Sequence, residues 1–133
     1  MIIRSLDRRL LRYEKPLRKT AEGFFKFSHE RRRVEIYIVN SSQIRKLNLK
    51  YRGVDKPTDV LAIEDPKFPG ENGNSLGEIY LNPSYLKSKP YDVHYILIHG
   101  LLHLLGFTHQ KKSDNMKMEK REKEVLEWLG HRY

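Results

Sequence analysis

Residues 95–105, Tyr-Ile-Leu-Ile-His-Gly-Leu-Leu-His-Leu-Leu, carry no carboxylate, lysine or arginine and are apolar almost without interruption. Wound as a helix they are apolar on every side, and such a helix is stable only when other elements surround it. The segment therefore belongs at the centre of the fold. It also holds His99 and His103, four residues apart, which project from one helical face, one turn above the other. Buried imidazoles need partners, and a metal ion supplies one. A third histidine, His109, follows. Carried on an unbroken helix it would point about 240° away from His103, so it joins the pair only if the helix stops between them. Gly106 is the residue that permits this stop. Imidazole nitrogen suits Zn²⁺, and three protein ligands leave a fourth position open, which is the catalytic pattern. Packed core histidines, an ordinary glycine cap and a loop histidine are the alternative. Three histidines at these intervals, with the glycine between, outweigh it.

The rest of the chain bounds what surrounds this helix. At 133 residues one domain, 1–133, is expected. The absence of cysteine excludes disulfides, iron–sulfur clusters and thiolate zinc sites, so any zinc is held by histidine or carboxylate. Cytoplasmic localisation fits this composition. No long uncharged apolar stretch opens the chain and the central one is broken by two histidines, so neither a signal peptide nor a membrane span is expected.

Charge is placed unevenly. The chain carries +9, with a pI near 9.8. Residues 1–33 hold 11 Lys or Arg against 4 Asp or Glu, residues 34–110 balance at 8 against 8, and residues 111–133 hold 7 against 5. Clusters such as Arg8-Arg9, Arg18-Lys19 and Arg31-Arg32-Arg33 suit phosphate neutralisation. A solvated basic face is the plainer reading of the same charges. Tyr13, Phe24, Phe25 and Phe27 are of the type that stacks on bases, but their spacing suits a core.

Periodicity supplies the scaffold. Pro16 suits the first turn of a helix running towards Phe27, with Leu17, Ala21 and Phe24 or Phe25 inward. Residues 1–6 give no clear signal. Val34, Ile36 and Ile38 alternate as a strand, and Ser41 or Ser42 is a candidate cap for a helix with Ile44, Leu47 and Tyr51 at i, i+3 and i+7, stopped by Gly53. Strands are expected at residues 58–63 and 76–81, joined by a loop with Pro66, Pro69, Gly70 and Gly73 that is the best candidate for a mobile segment. Asp92 can cap the histidine helix, and a last helix over about residues 114–129 presents Met118, Val125 and Leu129 at helical spacing. This order predicts a small α/β (α+β) domain with a mixed sheet on which the central, metal-bearing helix packs.

The histidine spacing H-x-x-x-H-x-x-G-x-x-H is that of a metzincin-like site, but metzincin proteases place their glutamate base after the first histidine, where this chain has Gly100. The ligand geometry is kept while the proton acceptor is missing. The run His99–His109 resembles instead the signature of the YbeY family of bacterial endoribonucleases, metal-dependent proteins implicated in ribosomal RNA maturation. The resemblance continues in Leu47-Asn48, in Tyr51-Arg52-Gly53, in Asp55-Lys56-Pro57-Thr58-Asp59-Val60-Leu61, in Leu76-Gly77-Glu78-Ile79, and in Met118-Glu119 through Glu122 to Leu126, Leu129 and Gly130. It spans about residues 34–130. Phe107 and Thr108 stand where the family usually has tyrosine and aspartate, and Ala62 and Ile63 where it has serine and phenylalanine. The missing aspartate puts the orientation of a ligand or substrate group in question.

The resemblance implies a zinc-dependent, single-strand-specific endoribonuclease in ribosomal RNA maturation and ribosome quality control. It implies one ion per chain on His99, His103 and His109, and the small ribosomal subunit or its assembly factors as partners. Ni²⁺, Co²⁺ or Cu²⁺ also suit three imidazoles. Zinc lowers the pKa of water and polarises a phosphoryl oxygen, so attack on an RNA phosphodiester by water or by the ribose 2′-OH fits. Charge developing on the equatorial oxygens calls for a guanidinium, and Arg52 matches the family's functional arginine. Its plainer role is to pair with Asp55 or Asp59. Glu78 is a candidate proton acceptor or a solvent-facing strand residue, and His29, His94 and His131 are expected at the surface. Two other readings stay open. One is a metallohydrolase of another substrate, such as a peptide; the other is a non-catalytic ribosome-assembly RNA-binding protein with a structural metal.

Overall fold

A computed structural model describes residues 1–65, 74–88, 92–107 and 112–130. Four strands, β1 (Ile2–Ser5), β2 (Arg33–Ile38), β3 (Val60–Glu64) and β4 (Ser75–Leu81), form one mixed sheet in the order β1-β2-β4-β3. β1 pairs parallel to β2 and β2 parallel to β4, whereas β3 runs antiparallel to β4 and forms an edge. Four helices accompany it: α1 (Glu14–Ser28), α2 (Ser41–Arg52), α3 (Val93–Leu104) and α4 (Lys112–Trp128). Residues 1–6, silent in the sequence, supply β1. The loop expected around Pro66–Gly73 lies outside the described residues.

Alternation along the strands divides the side chains between two faces. On the inner face Ile3, Val34, Ile36, Ile38, Ile79 and Leu81 join Leu17, Ala21 and Phe24 of α1, the apolar residues of α3, and Met118, Val125 and Leu126 of α4. On the outer face Leu61 and Tyr80 join Val39 and Ile44, with Tyr37, Leu47 and Ile63 packed alongside. α3 lies in the larger core, and Ile96, Leu97, Ile98, Leu101 and Leu102 are at most 2% exposed. Its all-round apolarity is thus used on all sides. Met118 is a core residue and Met116 an exposed one, so neither forms a turn beneath the histidines.

Two local devices set the sheet and the helix ends. At Gly77 the β2–β4 register slips, Arg33 facing Ser75 and Val34 facing Gly77, so Leu76 and Ile79 both reach the inner core. Gly77 has φ +137°, and a Cβ there would lie 2.0 Å from Ile63 O. The cap of α2 is Asn40 rather than Ser41 or Ser42. Asn40 is extended, its side chain accepts from Gln43 N, and the Gln43 side chain accepts from Asn40 N, a reciprocal capping box. A serine one residue later is already helical and lacks that geometry. Asp92 caps α3 as expected, accepting from Tyr95 N at 3.0 Å.

Candidate active site

His99 and His103 stand on consecutive turns of α3, and their ring centroids are 4.9 Å apart with planes at 74°. Tyr95, one turn earlier, stacks on His99 with centroids 6.3 Å apart. The helix ends at Leu104, and Gly106 takes φ +101°, a left-handed conformation that turns the chain off the helical path. The stop demanded by the histidine spacing is therefore present. His109 and Thr108 lie outside the described residues; Phe107, the last described residue of the turn, packs against the main core.

The two imidazoles face a cleft of about 480 Å³ between α3 and β3, whose walls also include Arg52, Asp59, Glu64 and Gly100. Gly100 explains how α3 comes so near the sheet. A Cβ at this position would stand 3.1 Å from Val60 Cγ2 and 3.4 Å from Ile79 Cγ2. A glutamate here, as a protease of this spacing requires, would press on both strands. The position is one of close approach and not of proton transfer.

Arg52 reaches the cleft from the other layer. It is the last residue of α2, which packs on the outer face, and Gly53 ends that helix in a left-handed conformation. The pairing with Asp55 allowed by the sequence is not formed, because Arg45 takes Asp55 with two hydrogen bonds of 2.7 and 3.2 Å. Among the described residues Arg52 makes no ion pair, and it is exposed. The following loop is tied down by buried asparagines. Asn48 Nδ2 donates to Lys56 O, Asn82 Nδ2 donates to Thr58 O and Ser41 Oγ, and Asn82 N donates to Asp59 O. Asp59 in turn accepts from Val60 N at 2.7 Å.

Glu78 does not line the cleft. It shares the outer face with Tyr80, whose hydroxyl it accepts, and strand alternation points it away from α3. His94 is half-buried, with Nδ1 2.6 Å from the Oγ1 of buried Thr20, and so departs from the surface placement expected of it. His131 lies outside the described residues. Part of the N-terminal basic charge is internally engaged. Arg9 forms two hydrogen bonds with Asp7, and Arg32 two with Glu30. Hydrogen bonding from Arg32 holds the Glu30 carboxyl down at about 2.

Three carboxylates not assigned to the site from sequence lie at it or beside it. Glu64 and Asp59 line the cleft, and Glu122 of α4, 1% exposed, brings Oε2 to 3.5 Å from His99 Nδ1. Glu122 had a legible signal: it falls on the same helical stripe as Met118, Val125 and Leu126, where a charged residue is out of place.

A model of the Endoribonuclease YbeY family matches residues 5–130. The chain belongs to this family. It is 35% identical over 117 residues to the Endoribonuclease YbeY of Wolbachia sp. subsp. Drosophila simulans (strain wRi), covering 80% of this chain and 75% of that one. It is 31% identical over 116 residues to the Endoribonuclease YbeY of Desulfitobacterium hafniense (strain Y51), covering 76% and 74%. The fold is similar to the solution structure of TM1509 from Thermotoga maritima, with a TM-score of 0.57, 28% identity and coverage of 97% of this chain and 91% of that one. Arg52, His99, His103 and His109 all fall within the stretch matched by the YbeY model.

Proposed function

We propose that the chain is a metal-dependent endoribonuclease that cleaves single-stranded ribosomal RNA during maturation and quality control, in the cytoplasm and in company with the small ribosomal subunit or its assembly factors. The convergence of Arg52 with His99 and His103 on one open cleft carries the reading. A nitrogen donor pair one turn apart, followed by a helix stop, fits a divalent transition ion, with His109 as the third donor. Zinc is the ion we assign, one per chain. Among the described residues no group of three such donors is complete, since His109 lies beyond them.

When bound, such an ion supplies Lewis acidity towards a phosphoryl oxygen. The chain's own groups do the rest. The guanidinium of Arg52, exposed and without an ion pair among the described residues, is suited to hold a phosphate and to stabilise charge spreading over its equatorial oxygens. Of the two carboxylates in the cleft, Asp59 is engaged by Val60 N, whereas Glu64 is exposed and is the better placed to take a proton from an attacking hydroxyl. Gly100 stands where the protease motif has its glutamate base, which favours RNA over peptide as the substrate. The basic termini supply attraction for the phosphate backbone that weakens as salt rises. No helix among the described residues is long and apolar enough to cross a membrane.

The test is elemental analysis paired with cleavage of single-stranded and structured RNA by the wild type, His103→Ala and Arg52→Ala. We expect about one zinc per wild-type chain, loss of metal and cleavage in His103→Ala, and retained metal with cleavage lowered at least 100-fold in Arg52→Ala. Metal-free wild-type protein prepared in the presence of zinc, or cleavage equal in all three, overturns the assignment.

A further inference from the structure

Among the described residues Glu122 is the buried charge for which no other role is evident. It is 1% exposed, enclosed between α4 and α3, and among the described residues it meets no lysine or arginine. A carboxylate withdrawn from water is costly unless something compensates it. The basic nitrogen it does meet is His99 Nδ1, at 3.5 Å from Oε2. A shift of about 0.5 Å would bring the pair into the range of an N–H···O hydrogen bond.

We infer that Glu122 is a positioning residue for His99: its carboxylate accepts the Nδ1 proton, fixes the ring as the Nδ1–H tautomer, and so presents Nε2 to the cation of the cleft. This rests on the metal reading of the cleft given above. An imidazole has one lone pair in its neutral form, and which nitrogen carries it is decided by the hydrogen bond made at the other. In water the Nε2–H tautomer of histidine is the commoner, and that form would turn a proton towards the ion. Anchoring through α4 also orients the ring, since α4 packs on α3 while His99 still lines the cleft. The negative charge makes the imidazole a stronger donor, and the carboxylate sits close enough to the site to offset part of an ion's charge.

Two measurements on the wild type, Glu122→Gln and Glu122→Leu test this. The first is the ¹⁵N–¹H spectrum of imidazole nitrogens in the metal-free proteins, and the second is Zn²⁺ affinity by chelator competition, with metal-free melting temperature as the control for folding. We expect wild-type His99 as the Nδ1–H tautomer. Glu122→Gln, whose amide oxygen also accepts, should keep that tautomer and lose less than about tenfold in affinity. Glu122→Leu should lose the tautomer bias and about 10- to 100-fold in affinity with no fall in melting temperature, because the buried charge is gone. A merely structural Glu122 would change melting and leave affinity alone. An Nε2–H His99 in the wild type, or a Glu122→Leu affinity within threefold of wild type, overturns the inference. If Glu122→Leu does not fold, the wild-type tautomer and the Glu122→Gln affinity decide it. Wild-type protein that binds no zinc overturns the metal reading itself, and the tautomer of the metal-free protein then separates that failure from a failure of Glu122 to hold His99.

Discussion

The two faces of the sheet solve the same problem of burial in different ways. The inner face is covered by α1, α3 and α4, and its core is aliphatic apart from Phe24 and the edges of the helices. The outer face is covered by α2 over a smaller cluster, and there Tyr37 and Tyr80 stack at 5.3 Å while Glu35 and Glu78 accept their hydroxyls. The first face is stabilised by area removed from water, and the second by fewer contacts in which polar groups are kept bonded. The candidate active site lies where the two layers meet at edge strand β3. His99 and His103 come from the inner layer, and Arg52 from the end of the outer helix. A candidate site drawn from both layers depends on their relative position, which the sheet fixes.

Breaking the shared element should have the largest effect. Gly77→Ala would place a Cβ on Ile63 O at the register slip, in a conformation strained for any L side chain. We expect a loss on the order of 4 kcal/mol or no cooperative fold, seen in urea unfolding, and both faces should lose together. A wild-type midpoint would remove Gly77 from the common frame. Next comes the inner face alone. Phe24→Ala, at a fully buried position, should cost about 3–5 kcal/mol in the same assay. A cost below about 1 kcal/mol would show that the inner core is no more tightly packed than the outer.

Gly100→Val sharpens the contrast at the site itself. Its side chain would meet Val60 and Ile79, and we expect about 1–3 kcal/mol of destabilisation from overpacking, with weakened RNA cleavage as α3 is pushed from β3. Unchanged stability and cleavage would mean that the close approach has no function. The smallest effect belongs to the outer face. Tyr80→Phe removes one hydrogen bond, worth about 1 kcal/mol. Burial, and then the bond to Glu78, push the Tyr80 phenol well above its ordinary 10.0. The folded state therefore keeps a proton that the unfolded chain releases, so this contribution is complete below pH 10 and is lost as pH rises beyond it. Urea midpoints at pH 9 and pH 11 should fall less for Tyr80→Phe than for the wild type, whereas Phe24→Ala should keep the wild-type slope. Equal slopes for Tyr80→Phe and wild type would place the alkaline sensitivity elsewhere.

Sequence by itself determined what depends on near neighbours. The rise of an α-helix sets His99 and His103 on one face, Gly106 supplies the left-handed turn after them, and Asp92 and Gly53 close helix ends with their own backbone geometry. Alternation marked β2, where Val34, Ile36 and Ile38 are buried on one side, whereas β4 is buried on both faces; it failed for β1, where Ile3 alone is buried and the pairing partner lies some thirty residues away. The cap of α2 was missed by one residue because Asn40, Ser41 and Ser42 all have capping side chains, and only backbone conformation chooses among them. Tertiary structure decided the rest. Arg52 stands with the histidines because α2 ends at the β3 edge, Glu78 faces away because its strand alternates with Ile79 inward, and Glu122 meets His99 because α4 packs on α3. Periodicity tells which side of an element is buried; what lies against that side is set by the order of strands and the packing of helices, which no local spacing encodes.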